Sequence, residues 1–306
     1  MIFAFDIFLQ AIIIGTLFAG VYALAGSGLV LVFGVMRVVD LSRGAFLMIG
    51  AYLSWVFFAR LGIDPLLALA ITAPLLYLTG LGVYKYVLGG GALRGREGIT
   101  FGVIITFGMA LFIQFAISYI FTAYFKTVNT SYAVQAISLA ALGYPTVFVP
   151  VSKLIASAMS SAALILLFTF LYKTRTGTAL RATVQNRDAA QLVGVDVERI
   201  STLSFGLNAV TAAAAGTVIS LISGFYPYSG QLWIVKLLAI VMLGGMQSMG
   251  GLMVGSLILG LAESFTGVYF SVAWTPLIFS GTIIVVLLFR PRGLFGETLT
   301  LAERFH

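Results

Sequence analysis

Apolar residues run through this chain in long uninterrupted blocks, and polar residues are confined to the gaps between them. A helix needs about 20 apolar residues to cross a bilayer. Blocks of that order occupy residues 8–35, 44–60, 65–87, 99–124, 151–172, 201–223, 232–247, 252–270 and 272–289. None shows the dyad alternation of a barrel strand, so the pattern predicts an all-α polytopic membrane protein with about 8–9 transmembrane segments, short or broken helices included. The blocks 44–60 and 232–247 are short, and each either crosses fully or forms a half-span. Gly224, Pro227, Gly244, Gly245, Gly250 and Gly251 interrupt the later blocks. Such breaks are tolerated at membrane depth only where protein or a cavity covers them. No polar stretch is long enough for a soluble domain, so 1–306 reads as a single transmembrane domain. Its two notable polar segments are about 126–150 and 173–200.

The cations sort by side under this reading. Arg37, Arg43, Lys85, Arg94, Arg96, Lys173, Arg175, Arg181, Arg187, Arg199, Arg290, Arg292 and Arg304 fall on one side, against Arg60, Lys126, Lys153 and Lys236 on the other or near it. The positive-inside rule places the first group in the cytoplasm. The C-terminus is then cytoplasmic and the N-terminus external if every block crosses. The first block follows no basic leader or small-residue cleavage site, so it reads as a retained span. Composition agrees: 60% of 306 residues are hydrophobic and 9% charged, with mean hydropathy +1.09, where a soluble domain carries about 25% charged residues. The net charge of +7 is explained by topology and implies no nucleic-acid partner. The chain has no cysteine and one histidine, His306. That excludes disulfides, thiol nucleophiles, histidine bases and His- or Cys-based metal clusters, and no cofactor is expected in the chain itself.

The segment 173–200 is the longest cytoplasmic loop of this arrangement. Its small and apolar residues recur in a pattern that fits short amphipathic helices, with Gly177 and Gly194 as breaks. From pattern alone it reads equally as a surface helix on anionic lipid or as a helix that lies in a groove on a cytoplasmic partner. The spacing Asp188-Ala189-Ala190-x-x-x-Gly194 resembles the coupling loop of ABC importer permeases, although no Leu-Pro follows. Further stretches are similar to LivH-type permeases of branched-chain amino acid importers. They include Gly28 to Met36 with Arg37, Gly44 to Tyr52, Leu180-Arg181-Ala182, Asn186 to Ala190, Leu243 to Ser248 with Lys236 and Glu263, and Phe289 to Gly296. The chain departs from that pattern around Asp40 and Arg43, where many members carry Asn and His, and this leaves the substrate open.

The resemblance implies a coupling surface at Leu180, Arg181, Arg187, Asp188, Ala189, Ala190 and Gly194. It also implies a partner set: a second, LivM-like permease, two cytoplasmic ATPase subunits and a periplasmic substrate-binding protein, all at the bacterial inner membrane. No Gly-Lys dipeptide occurs, so a phosphate-cradling loop is absent and ATP with Mg belongs to partner subunits.

Ionisable groups inside a span cost about 2.5–3.5 kcal/mol each on insertion scales and tend to pair. The depths of Lys236 and Glu263 in an antiparallel hairpin differ by only about 5 Å, so either the two form an ion pair, directly or through water, or Lys236 snorkels to the outer surface and Glu263 faces a cavity. Asp40, Arg43, Gln114 and Tyr22 are the other pathway candidates, with Thr106 and Asn208 as polar groups that bond either substrate or a neighbouring helix. Gly244, Gly245, Gly250 and Gly251 read either as a hinge beside the pathway or as small-residue helix contacts. Phe225-Tyr-Pro-Tyr228 reads as an interfacial aromatic belt or an outer gate. The external segment 126–150 reads as a docking surface or a plain hairpin. The leading function is an importer permease for branched-chain or related small amino acids, with urea or another amide as the alternative solute. A stand-alone secondary transporter would carry more buried charge, and a membrane enzyme would need a catalytic cluster that the chain lacks.

Overall fold

The computed structural model describes residues 2–89, 98–290 and 293–295, apart from 134, 139, 141–143, 145 and 146. Helix dominates: α1 (Ile2–Met36), α2 (Arg43–Leu61), α3 (Pro65–Val83, continued by a π-helical turn Tyr84–Leu88), α4 (Gly98–Phe121), α5 (Val151–Lys173), α6 (Arg175–Gln185), α7 (Arg187–Leu192), α8 (Val197–Ile222), α9 (Ser229–Gly244), α10 (Met249–Tyr269) and α11 (Thr275–Phe289). Among the described residues eight segments are long and apolar enough to cross a membrane, and α9, with 16 residues, is shorter. The block 44–60 becomes the 19-residue α2. Segment 126–150 holds a hairpin, a two-stranded antiparallel sheet of β1 (Ala136–Ser138) with β2 (Phe148–Pro150), which leads directly into α5.

The architecture follows from two breaks. After α1 the chain leaves helix at Arg37, whose φ is +59°, and residues 37–42 fold back beside α4 and α8. There Leu41 N–H donates to Thr106 Oγ1 at 3.3 Å. Helix α2 therefore begins inside the bundle. After α8 the chain returns in the same way: Lys126 and Phe225 exchange backbone hydrogen bonds of 2.8 and 3.0 Å, and α9 begins four residues later. The starts of α2 and α9 meet at Gly44 and Gly230, where a Cβ on either residue would overlap the other's backbone. The helices α1–α4 and α8–α11 thus repeat one plan: a long helix, an extended return, a helix that starts inside, and two more. They run in opposite senses. The correspondence extends to contacts, since α1 packs chiefly on α10 and α3 chiefly on α8.

Lipid tails are as apolar as leucine, so helices in a membrane associate through close backbone approach and not through hydrophobic burial. Small residues supply that approach here. A Cβ on Gly216 would overlap the Leu47 carbonyl, one on Gly50 would lie 2.8 Å from the Ala213 carbonyl oxygen, and one on Gly80 would press on Ala209 and Gly206. Helix α8 is accordingly the core: 83% of its most apolar window is buried, against 17% for α4 and α11. At the start of α3 Asp64 caps the helix through the Leu66 N–H at 2.9 Å and accepts from the Tyr132 hydroxyl at 3.1 Å. Burial pushes that phenol up to about 12. Phe225 is fully buried against Tyr52, so it is not part of an interfacial aromatic belt.

Gly216→Leu is expected to force α2 off α8, at a cost of about 1–3 kcal/mol or more from overpacking. Its thermal midpoint in detergent should fall by several degrees. Gly281→Leu, which meets nothing within 4 Å, should leave the midpoint in place. Equal midpoints for the two variants would contradict the close approach.

Candidate functional site

Among the described residues Arg43 is the largest of the fully buried side chains, at 0% exposed. Its Nε donates to Ala25 O at 2.8 Å and its Nη2 to Leu24 O at 3.2 Å. Its Nη1 donates to Asn208 O at 2.5 Å, Asn208 Oδ1 at 2.6 Å and Thr211 Oγ1 at 3.0 Å. Asn208 returns the favour to the acid, donating from Nδ2 to Asp40 Oδ2 at 2.7 Å. Asp40 Oδ1 accepts from the Ser42 N–H and hydroxyl at 2.9 and 2.5 Å. One amide thus bridges a buried cation and a buried anion, and the planar guanidinium spends its fixed fork of donors on α1 and α8 at once. The guanidinium reaches two carbonyls of α1 because Gly28 leaves room for it. A Cβ there would collide with the guanidinium. Arg43 is therefore an interior clasp and not one of the cytoplasmic cations with which charge sorting grouped it.

The ion pair forms. Lys236 Nζ lies 2.7 Å from Glu263 Oε1, with side chains 20% and 13% exposed. The Tyr22 hydroxyl donates to the second carboxylate oxygen. Three rings surround the ammonium: Phe279 at 5.1 Å, Trp233 at 5.3 Å and Tyr22 at 5.7 Å from their centroids. Cation–π attraction supplies about 0.5–2 kcal/mol per face in such a site, which offsets part of the desolvation that a buried pair incurs. The assembly ties α9 and α10 to α1.

Gln114 stands apart from both groups. It lines a cavity of about 130 Å³ between α4 and the starts of α2 and α9, together with Leu41, Ala45, Phe107, Ala110, Leu111, Pro227, Gly230, Gln231 and Ile234. The residue is 6% exposed, and its amide has no hydrogen-bond partner among the described residues. Leu41 faces this cavity, whereas Asp40 and Arg43 lie behind it. The glycine cluster divides as well. Gly244 and Gly251 touch backbone to backbone, Gly245 turns the chain with φ +107°, and Gly250 meets nothing within 4 Å. The turn is held by the far end of the chain, since Leu294 N–H donates to Leu243 O at 2.8 Å and Phe295 N–H to Gly244 O at 3.1 Å.

The polar segment 173–200 folds as two helices, each with its own cap. Thr174 Oγ1 accepts from the Gly177 N–H and Asn186 Oδ1 from the Ala189 N–H, both at 3.0 Å. Caps of this kind contribute about 1 kcal/mol, which matters for helices this short. Leu180, Thr183 and Ala190 are buried and key the pair to the bundle, with Val184 against Gly34 at the end of α1. Arg181 lies over the Tyr172 ring at 4.5 Å. Arg187, Asp188 and Ala189 are exposed, and at the tip Leu192 and Val193 are 88% and 80% exposed. Gly194 (φ +88°) then turns the chain towards α8. The residue spacing identified Asn186 to Gly194 but gave no sign of the apolar tip, because Leu192 and Val193 look like buried positions in sequence.

The family model described as the permease component of branched-chain amino acid transport systems matches residues 11–288. The chain is 27% identical over 304 residues to the high-affinity branched-chain amino acid transport system permease protein BraD of Pseudomonas aeruginosa, covering 95% of this chain and 96% of that protein. It is 27% identical over 300 residues to the corresponding LivH of Escherichia coli K12, with the same coverage. It is 25% identical over 292 residues to a probable branched-chain amino acid permease LivH of Methanocaldococcus jannaschii, covering 92% and 90%. No solved structure matches.

The ion pair gives a testable energy pattern. Removal of one partner of a buried pair leaves an uncompensated charge and costs about 3–5 kcal/mol, while replacement of both by apolar groups is often neutral. Lys236→Met and Glu263→Gln should each lower the thermal midpoint in detergent, and Lys236→Met with Glu263→Leu should recover most of that loss. Additive losses in the double variant would show that the two groups do not act as a pair.

Proposed function

The chain belongs to the permease component family of branched-chain amino acid transport systems, and from that membership we propose that it is the membrane-spanning subunit of an ATP-driven importer for branched-chain or related small amino acids. The observation that carries the reading is the protruding α6–α7 pair. It is rooted in the bundle by Leu180 and Ala190 and offers Leu192 and Val193 to a partner. An exposed apolar knob on a capped, rigid base suits the helix-in-groove mode of docking.

In this reading the partner is an ATPase, and a second permease and a substrate-binding protein complete the assembly. The chain carries no phosphate-cradling loop of its own, so hydrolysis of ATP with Mg occurs in the ATPase subunits. Closure of those subunits presses on α6 and α7. The push reaches α5 and α8, which flank them, and α1 through the Val184 contact with Gly34. The spans then alternate between outward and inward access. The basic residues of 173–200 set the orientation: α6 and α7 in the cytoplasm, Asp64 and the β1–β2 hairpin outside, in an inner membrane.

Leu192→Asp combined with Val193→Asp is expected to abolish co-purification of the ATPase and to lower uptake at least tenfold, while membrane insertion and elution volume in detergent stay the same. Wild-type uptake by this variant would refute the docking role. Orientation is tested separately. The chain has no native cysteine, so single cysteines at positions 64 and 192 report directly. An impermeant maleimide on intact cells should label the first and spare the second.

A further inference from the structure

Both helices that begin inside the bundle do so without a side-chain cap. The backbone N–H groups of Ala45 and Gly230, in the first turns of α2 and α9, make no hydrogen bond among the described residues. Both residues line the cavity on which Gln114 opens. Three kinds of unmet or apolar surface therefore converge in one place. Two helix N-termini have free donors and positive dipole ends there, one nine-tenths buried amide has no partner, and the remaining wall is apolar (Leu41, Phe107, Ala110, Leu111, Pro227 and Ile234) except for Gln231.

We propose that this cavity is a station at which the permease itself holds a neutral aliphatic α-amino acid during passage. The inference rests on the importer reading above and adds a site to it. The assignment is by complementarity. A carboxylate is the group that helix N-termini bind. An ammonium needs an uncharged acceptor close by, which the Gln114 carbonyl oxygen supplies without an ion pair that would slow release. A branched aliphatic side chain needs an apolar wall of limited size. The volume of about 130 Å³ is close to the roughly 150 Å³ at which an apolar protein cavity admits a benzene-sized molecule. The Arg43 and Lys236 groups take no part, because each is engaged by its own partners and neither lines the cavity.

The test uses the complete transporter, with its partner permease, ATPases and binding protein, in proteoliposomes. Ala110→Leu narrows the apolar wall, so the leucine-to-alanine uptake ratio should fall at least tenfold. Gln114→Leu removes the acceptor, so uptake of leucine and alanine should fall together by at least tenfold. Photo-leucine supplied to the wild-type transporter during turnover should label the α4 peptide that contains Phe107 to Gln114, and this arm does not depend on either variant assembling. An unchanged uptake ratio in an assembled Ala110→Leu complex, or labelling that spares α4, overturns the station. Absence of any amino acid uptake by the wild-type complex overturns instead the importer reading on which it rests.

Discussion

A guanidinium enclosed among membrane helices must have every donor occupied, because neither lipid nor protein hydrocarbon offers an alternative partner. Arg43 has a partner on each of its three nitrogens, among two carbonyls of α1 and Asn208 and Thr211 of α8. Much of the structure follows from that one requirement. It fixes where α2 starts, and through Gly44 and Gly230 it fixes where α9 starts. It needs Gly28 to stay bare, and it holds residues 37–42 against α8 through Asp40 and Asn208. Removal of a single partner would leave a buried charge unmet, which is why so many polar side chains are gathered at one point in so apolar a chain.

The second short helix is secured by a different device. Lys236 of α9 reaches Glu263 of α10 and sits among Tyr22, Trp233 and Phe279. The two halves share a plan of helices yet tie down their inner starts with unrelated chemistry: a hydrogen-bonded fan in one, an ion pair in an aromatic box in the other. Both devices end on α1, at Leu24 and Ala25 and at Tyr22. That helix is the common post to which α2 and α9 are moored.

The spans were legible in sequence because the membrane imposes them: twenty apolar residues have few other uses. The Lys236–Glu263 pair was legible for a related reason, since depth along two antiparallel helices is nearly one-dimensional and fixes which charges can meet. The Arg43 clasp was not. Charge sorting counts a cation as a topological signal, and nothing in the local sequence tells that residues 37–42 fold inward. Asn208 was visible only as one polar residue in an apolar run. Its role depends on two groups about 165 positions away in the chain. A hairpin was one of two readings of segment 126–150, but its strands could not be placed because strands of three residues leave no periodicity to read, and the tip at Leu192 and Val193 was missed because exposure is a tertiary property.

A passage through such a molecule requires that some wall be less firmly held than the rest. Helix α8 is enclosed on all sides and tied by Asn208, and α1 carries both moorings. Helix α4 differs from both. Beyond α2 and the π turn after α3 it has little contact with the bundle, and most of its surface is turned outward, with Phe101, Phe107, Phe112 and Phe115 exposed. Among the described residues its polar side-chain bonds to the interior run through Thr106, at 3.3 and 3.5 Å. The unpaired Gln114 lies on this same helix, one face of the cavity whose other two faces are the moored starts of α2 and α9. Rigid walls on two sides and a lightly held wall on the third place the unmet hydrogen-bonding groups where a displacement of α4 breaks the fewest contacts.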